Sequence, residues 1–190
     1  LPGLAQPVAA APYVAHARFS APEAVLALAP PAEEFPYIRA HWHYARAEAM
    51  ARQGRAEAAQ AEARAIEALL SAPAIAALSD QGVPAQDVLA IARRVAAARA
   101  AQARGDQSDA ARLFAEAAEI QDRLPYMEPP FWYYPVRQSL GAALLAQGRH
   151  AEAAEAFRAA LRHTPNNGWA AAGLLRAAEA RQDGATAEEA

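Results

Sequence analysis

The feature that most constrains this chain is a turn that comes back. QGRAEAA at 53–59 returns as QGRHAEAA at 147–154, and RGDQSDAARLF at 104–114 is a looser third copy. Each copy places a glycine between two runs of helical periodicity, which makes the unit a helical hairpin. Before the third copy, Val88, Ile91, Ala92 and Val95 fall at i, i+3, i+4 and i+7. After it, Ala110, Leu113, Phe114, Ala117 and Ile120 form another face. Ser108 is the expected N-cap of that second helix, with Asp109 in the first turn, where a carboxylate suits the helix dipole. A recurring unit of this size cannot bury its apolar face alone and must stack on its neighbours. The expected fold class is therefore all-α.

Alanine supplies 59 of the 190 residues. It is the best helix former but buries little area, so thin helices must approach closely. The core then rests on scattered Leu, Ile, Val and aromatic residues. Net charge is −3, and all 18 basic residues are arginines, spread along the chain among 21 Asp and Glu. With no basic face or tail, nucleic acid is not an expected partner. Cysteine is absent, which excludes disulfides, thiolate metal sites and cysteine nucleophiles and leaves the compartment open. No stretch approaches the roughly 20 apolar residues of a membrane span. The opening LPGLAQPVAAAPY carries neither an initiator methionine nor a charged leader region, and reads as the start of a fragment or a processed chain.

The copy around Gly148 matches a known pattern: W-x2-L-G-x2-Y, then A-x3-F, then P, over about 34 residues. Arg137 stands where Trp is usual, followed by Leu140-Gly141 and then Leu144 for Tyr. Ala153 and Phe157 fit A-x3-F, and Pro165 ends the unit. Gly141 and Ala153 are small where two helices must touch, Phe157 fills the space toward the next hairpin, and Pro165 stops the second helix. On these residues the chain resembles the tetratricopeptide repeat family. The run EPPFWYYPVRQSLGAALL with the Asn166-Asn167-Gly168 turn resembles a bacterial tetratricopeptide subfamily, over most of the chain after about residue 35. That resemblance brings no catalytic residues.

It implies an α-α superhelix, a tetratricopeptide-like solenoid of helical hairpins, as one domain over 1–182. Its parts would be a partial hairpin at 8–30, hairpins at 37–70, 85–123 and 134–164, a closing helix at 167–181 and a polar tail at 183–190. The other copies are degenerate: Ala97-Ala98 and Ala101 replace Leu-Gly and Tyr around Gly105, and Arg46-Ala47 and Met50 precede Gly54. The inter-repeat loops are non-standard, because Gly54 and Gly105 lie 51 residues apart and Gly105 and Gly148 lie 43 apart. The surplus falls in 71–86 and 124–135, both helix-breaking by their Pro and Gly content.

In such an array the first helix of each hairpin lines the concave face. The resemblance therefore implies partner-binding candidates His41, Tyr44, Glu48 and Arg52, then Arg99 and Gln102, then Gln138, and finally Trp169 and Arg176. The four aromatics at 131–134 are expected first to plug a gap between hairpins that alanine cannot fill. Trp132 or Tyr133 would stand at the rim of the groove. The implied function is a scaffold that binds an unidentified protein or peptide. The alternative is an assembly module that self-associates through an N-terminal edge where Leu4, Val8 and Val14 lie bare. Without lysine, the family's charged clamp for a terminal carboxylate is disfavoured.

His41 and His43 are two apart on a helix, about 200° around the axis, so one ion cannot easily take both and no metal site is expected. No nucleophile elbow, phosphate loop or dinucleotide fingerprint occurs, so neither an enzyme nor a cofactor is expected.

Overall fold

Proline and glycine punctuate the chain. A computed structural model describes residues 3–182 and contains ten α-helices, with no strand among the described residues. They are α1 (Ala5–Phe19), α2 (Pro22–Leu26), α3 (Pro36–Arg52), α4 (Ala56–Leu69) and α5 (Pro73–Ser79). After these come α6 (Ala85–Ala103), α7 (Gln107–Gln121), α8 (Val136–Ala146), α9 (His150–His163) and α10 (Gly168–Arg181). The polar tail expected at 183–190 lies outside the described residues.

Proline opens α2, α3 and α5, where its missing N–H costs nothing and its fixed φ suits the first turn. This corrects one expectation. The 71–86 segment is not simply a break, because Pro73 starts a short helix that buries Ile75 and Leu78. The N-cap of α7 is also corrected: the Asp106 side chain, not Ser108, accepts the Asp109 N–H at 2.9 Å. Asp106 stands immediately before the helix, with its acceptor already in reach of the unpaired N–H groups.

The recurring turns reverse the chain in three residues. At Gly54 the φ is +73°, and the Arg55 N–H returns to the Met50 carbonyl at 2.9 Å, closing α3 and launching α4. Gly105 and Gly148 repeat that conformation between α6 and α7 and between α8 and α9. Within each pair the two helices pack along each other. The second helix of each pair then packs on the next first helix: α4 on α6, α7 on α8, α9 on α10. At the N-terminal side α1 lies against α3.

Two kinds of helix contact result. On α6, five alanines from Ala96 to Ala101 are buried with Val88, Leu89, Ile91 and Val95, because α3, α4, α5 and α7 all pack on it. The single apolar face expected from periodicity is thus an apolar cylinder. At α8 and α10, Phe157 is inserted between Gly141 and Gly173. A Cβ would lie 2.8 Å from its ring at Gly141 and 2.3 Å at Gly173. By contrast, α6 and α8 barely touch, and the aromatic segment 131–135 occupies the space between α3, α6 and α8.

Candidate functional site

Trp132 and Tyr134 turn inward, 2% and 8% exposed, while Phe131 and Tyr133 are half-buried. The Trp132 ring meets Tyr44 edge-on at 5.3 Å, and Tyr133 and Tyr134 pack at 4.9 Å. Gln121 on α7 pins the segment: its amide donates to the Tyr134 carbonyl at 2.8 Å and accepts from the Val136 N–H at 2.7 Å. Pro135, between those two contacts, brings no N–H of its own, so one side chain satisfies the backbone on both sides.

Beneath Tyr133 lies a polar network that joins three helices. The Tyr44 hydroxyl donates to Glu48 Oε1 at 3.1 Å, so its 2.6 Å contact with Tyr133 is filled by the Tyr133 proton. Arg99 Nε donates to the same Glu48 oxygen at 3.2 Å. One Arg99 terminal nitrogen donates to Gln102 at 2.8 Å and the other to Ser139 on α8 at 3.1 Å. Ser139 in turn donates to the Tyr134 hydroxyl at 3.2 Å. The Arg99 guanidinium also sits 5.0 Å from the Phe114 ring centre. Burial is the strongest single influence and works against its charge, but Glu48, with the neighbouring Tyr134 and Tyr44, together outweigh it and hold its pKa above the ordinary value. Burial also raises the Tyr44, Tyr133 and Tyr134 phenols, with Glu48 adding to each. The phenols therefore remain neutral hydrogen-bond donors near this ion pair.

Above the network runs a groove of about 490 Å³. Arg18 of α1, Glu48 and Arg52 of α3, Arg99 and Gln102 of α6, Tyr133, Tyr134, Gln138 of α8 and Trp169 of α10 line it. A second recess of about 650 Å³ continues past Thr164, Asn166 and Asn167, sharing Arg18, Tyr133, Tyr134 and Trp169 with the first. Asn167 fixes that end. It caps α10 by accepting the N–H groups of Trp169 and Ala170 at 3.1 and 3.2 Å, and donates to Gln138 at 2.9 Å.

Of the residues read from the sequence, Glu48, Arg52, Arg99, Gln102, Tyr133, Gln138 and Trp169 share this groove. The other four are placed differently, three of them in the interior. His41 is 4% exposed, and its Nδ1 contacts the Tyr37 carbonyl at 2.9 Å. Tyr44 has no exposed surface, and Trp132 is plug rather than rim. These three lie below the groove surface because α1 and the aromatic segment cover the face that a regular array would leave open. Arg176 is exposed on α10 but is not among the lining residues, being two helical turns beyond Trp169. His43 turns to Glu62 of α4 at 2.6 Å, away from His41. At the N-terminal edge Leu4 and Val8 are 55% and 73% exposed, whereas Val14 packs against the core.

Sequence reasoning missed Arg18, Tyr134 and the Thr164–Asn167 wall. Arg18 precedes the first Gly-centred turn, so no repeat register assigned it a face. Among the described residues no group of three His, Asp or Glu side chains could hold a metal ion, and no helix is long and apolar enough to cross a membrane. No protein-family model, curated protein or solved structure matches the chain.

Proposed function

We propose that this chain is a tetratricopeptide-like solenoid that binds a segment of a partner protein in the groove between α1, α3, α6, α8 and α10. One observation carries the reading. Seven side chains, spread from residue 48 to residue 169, converge on one groove over a floor tied together by Glu48, Arg99 and Ser139. Such a floor holds the walls in register before any partner arrives, and preorganisation lowers the ordering cost of binding. The mixture of Tyr, Trp and Arg on the walls is the composition of interface anchors. The recurring hairpins and the Phe157 slot support the solenoid assignment.

A photo-crosslinking residue at Gln102 or Trp169 should trap a discrete partner in the native host. The same group at Glu67, exposed on α4, should not. Equal trapping from both faces would sink the groove reading. A second reading has its own observation. Leu4, Val8 and Phe19, the last 80% exposed, leave the outside of α1 apolar. Stacking of that edge on other repeats or on a second copy would give light-scattering mass that rises with concentration and falls with Val8→Glu.

A further inference from the structure

The charge of the groove is opposite to that of the molecule. The whole chain carries −3. The described residues lining the groove include three arginines and one carboxylate, an excess of two positive charges. That carboxylate, Glu48, is already engaged by Arg99 and the Tyr44 hydroxyl. Arg99 is likewise committed, to Glu48, Gln102 and Ser139. What faces a visitor is therefore the remaining pair. Arg18 rests over the Phe19 and Tyr133 rings, at 5.6 and 6.0 Å. Arg52 donates to the Ser20 carbonyl at 2.8 Å and feels Glu23 only at longer range. Among the described residues neither forms a salt bridge, although arginines elsewhere on the helices pair with Asp or Glu repeatedly. Beside them Trp169 is 69% exposed, a large aromatic surface left in water at the groove wall.

Resting on the groove reading above, we infer that the occupant is an acidic peptide segment. Its carboxylate meets Arg18 and Arg52, and a neighbouring aromatic or aliphatic side chain covers Trp169. Arginine's planar fork suits a carboxylate, and among the described residues neither arginine is held in a salt bridge that a visitor would have to displace. The overall negative charge and scattered arginines disfavour a nucleic acid, which would need a basic track along the surface.

The test is a phage-displayed library of random peptides selected on the whole chain, on Arg18→Glu/Arg52→Glu and on Trp169→Ala. Circular dichroism of each variant confirms that these exposed substitutions leave the helices intact. Peptides selected on the unsubstituted chain should be enriched in Asp or Glu next to an aromatic or aliphatic residue. Their affinity should fall about ten-fold or more on the charge-reversed variant and weaken as salt screens the contact. Trp169→Ala should lose the apolar preference while keeping the acidic one. Neutral peptides that bind in the groove and are lost with Trp169→Ala would overturn the acidic assignment and leave the groove reading standing. Acidic peptides unaffected by the charge reversal, or displaced equally well by a short oligothymidine, would overturn it too. A selection that enriches nothing on the unsubstituted chain would overturn both.

Discussion

Two junctions in this molecule solve the same problem in opposite ways. Between α8, α9 and α10, two glycines let helices close on one phenylalanine ring, and the contact is wholly apolar. At the other junction α8 stands off from the packed pair α3 and α6. An aromatic segment fills the space, and its two phenols join the Tyr44 and Ser139 hydroxyls beside the Glu48–Arg99 ion pair. The groove lies over the second junction. Dry packing needs only shape, whereas a polar floor links donors to acceptors in fixed directions, and that holds side chains in place at a surface a partner can reach.

The sharpest way to break the comparison is Phe157→Ala. Emptying the slot between Gly141 and Gly173 should cost about 4 kcal/mol in urea unfolding, with no effect on the groove beyond the shared loss of stability. A cost under about 1 kcal/mol would mean that the junction collapses to fill the hole.

Acid should separate the two regions next. His41 is buried on α3 beside the Tyr37 ring, and burial lowers its pKa to about 4, below the ordinary 6.5. The unfolded chain then binds this proton more readily than the folded one. The stability concerned is present above about pH 6.5 and is lost as pH falls toward about 4, by up to about 3 kcal/mol. His41→Phe should flatten that part of the pH profile. A profile unchanged by the substitution would show that another group is responsible.

Within the polar junction, Arg99→Met should cost about 2 kcal/mol, because Glu48 and Ser139 lose a partner while water reaches part of the site. It should also loosen the groove, read as faster hydrogen exchange at the N-terminus of α8. The smallest effect expected is that of Tyr133→Phe. It removes the proton donated to Tyr44 and should cost about 1 kcal/mol. Thermal unfolding measures both, and an order reversed between them would place the centre of the network at Tyr44 rather than Arg99.

Much of the local architecture could be read in advance. Glycine at 54, 105 and 148 reverses the chain because only a residue without Cβ takes φ near +75° cheaply, and that requirement is local. That Gly141 is small at a helix contact and that Phe157 fills the space toward the next hairpin was legible as well, from spacing within one hairpin; that the two meet was decided by packing. The second wall of that slot, Gly173, was not, because nothing in the spacing says which side of α10 faces back. The N-cap went to Asp106 rather than Ser108 because the helix starts at Gln107, which puts Ser108 inside its first turn.

By itself the sequence determined helix formation, the turns and the presence of an aromatic filler, since propensity, steric freedom and periodicity act within a few residues. Tertiary structure alone decided that Trp132 and Tyr44 are interior. It also decided that Arg18 shares a groove with Trp169, and that Arg99 links Glu48 to Ser139. Those relations join side chains from residue 18 to residue 169. Their geometry depends on how far apart packed helices come to rest, and that distance is set by the sum of many contacts rather than by any one stretch of chain.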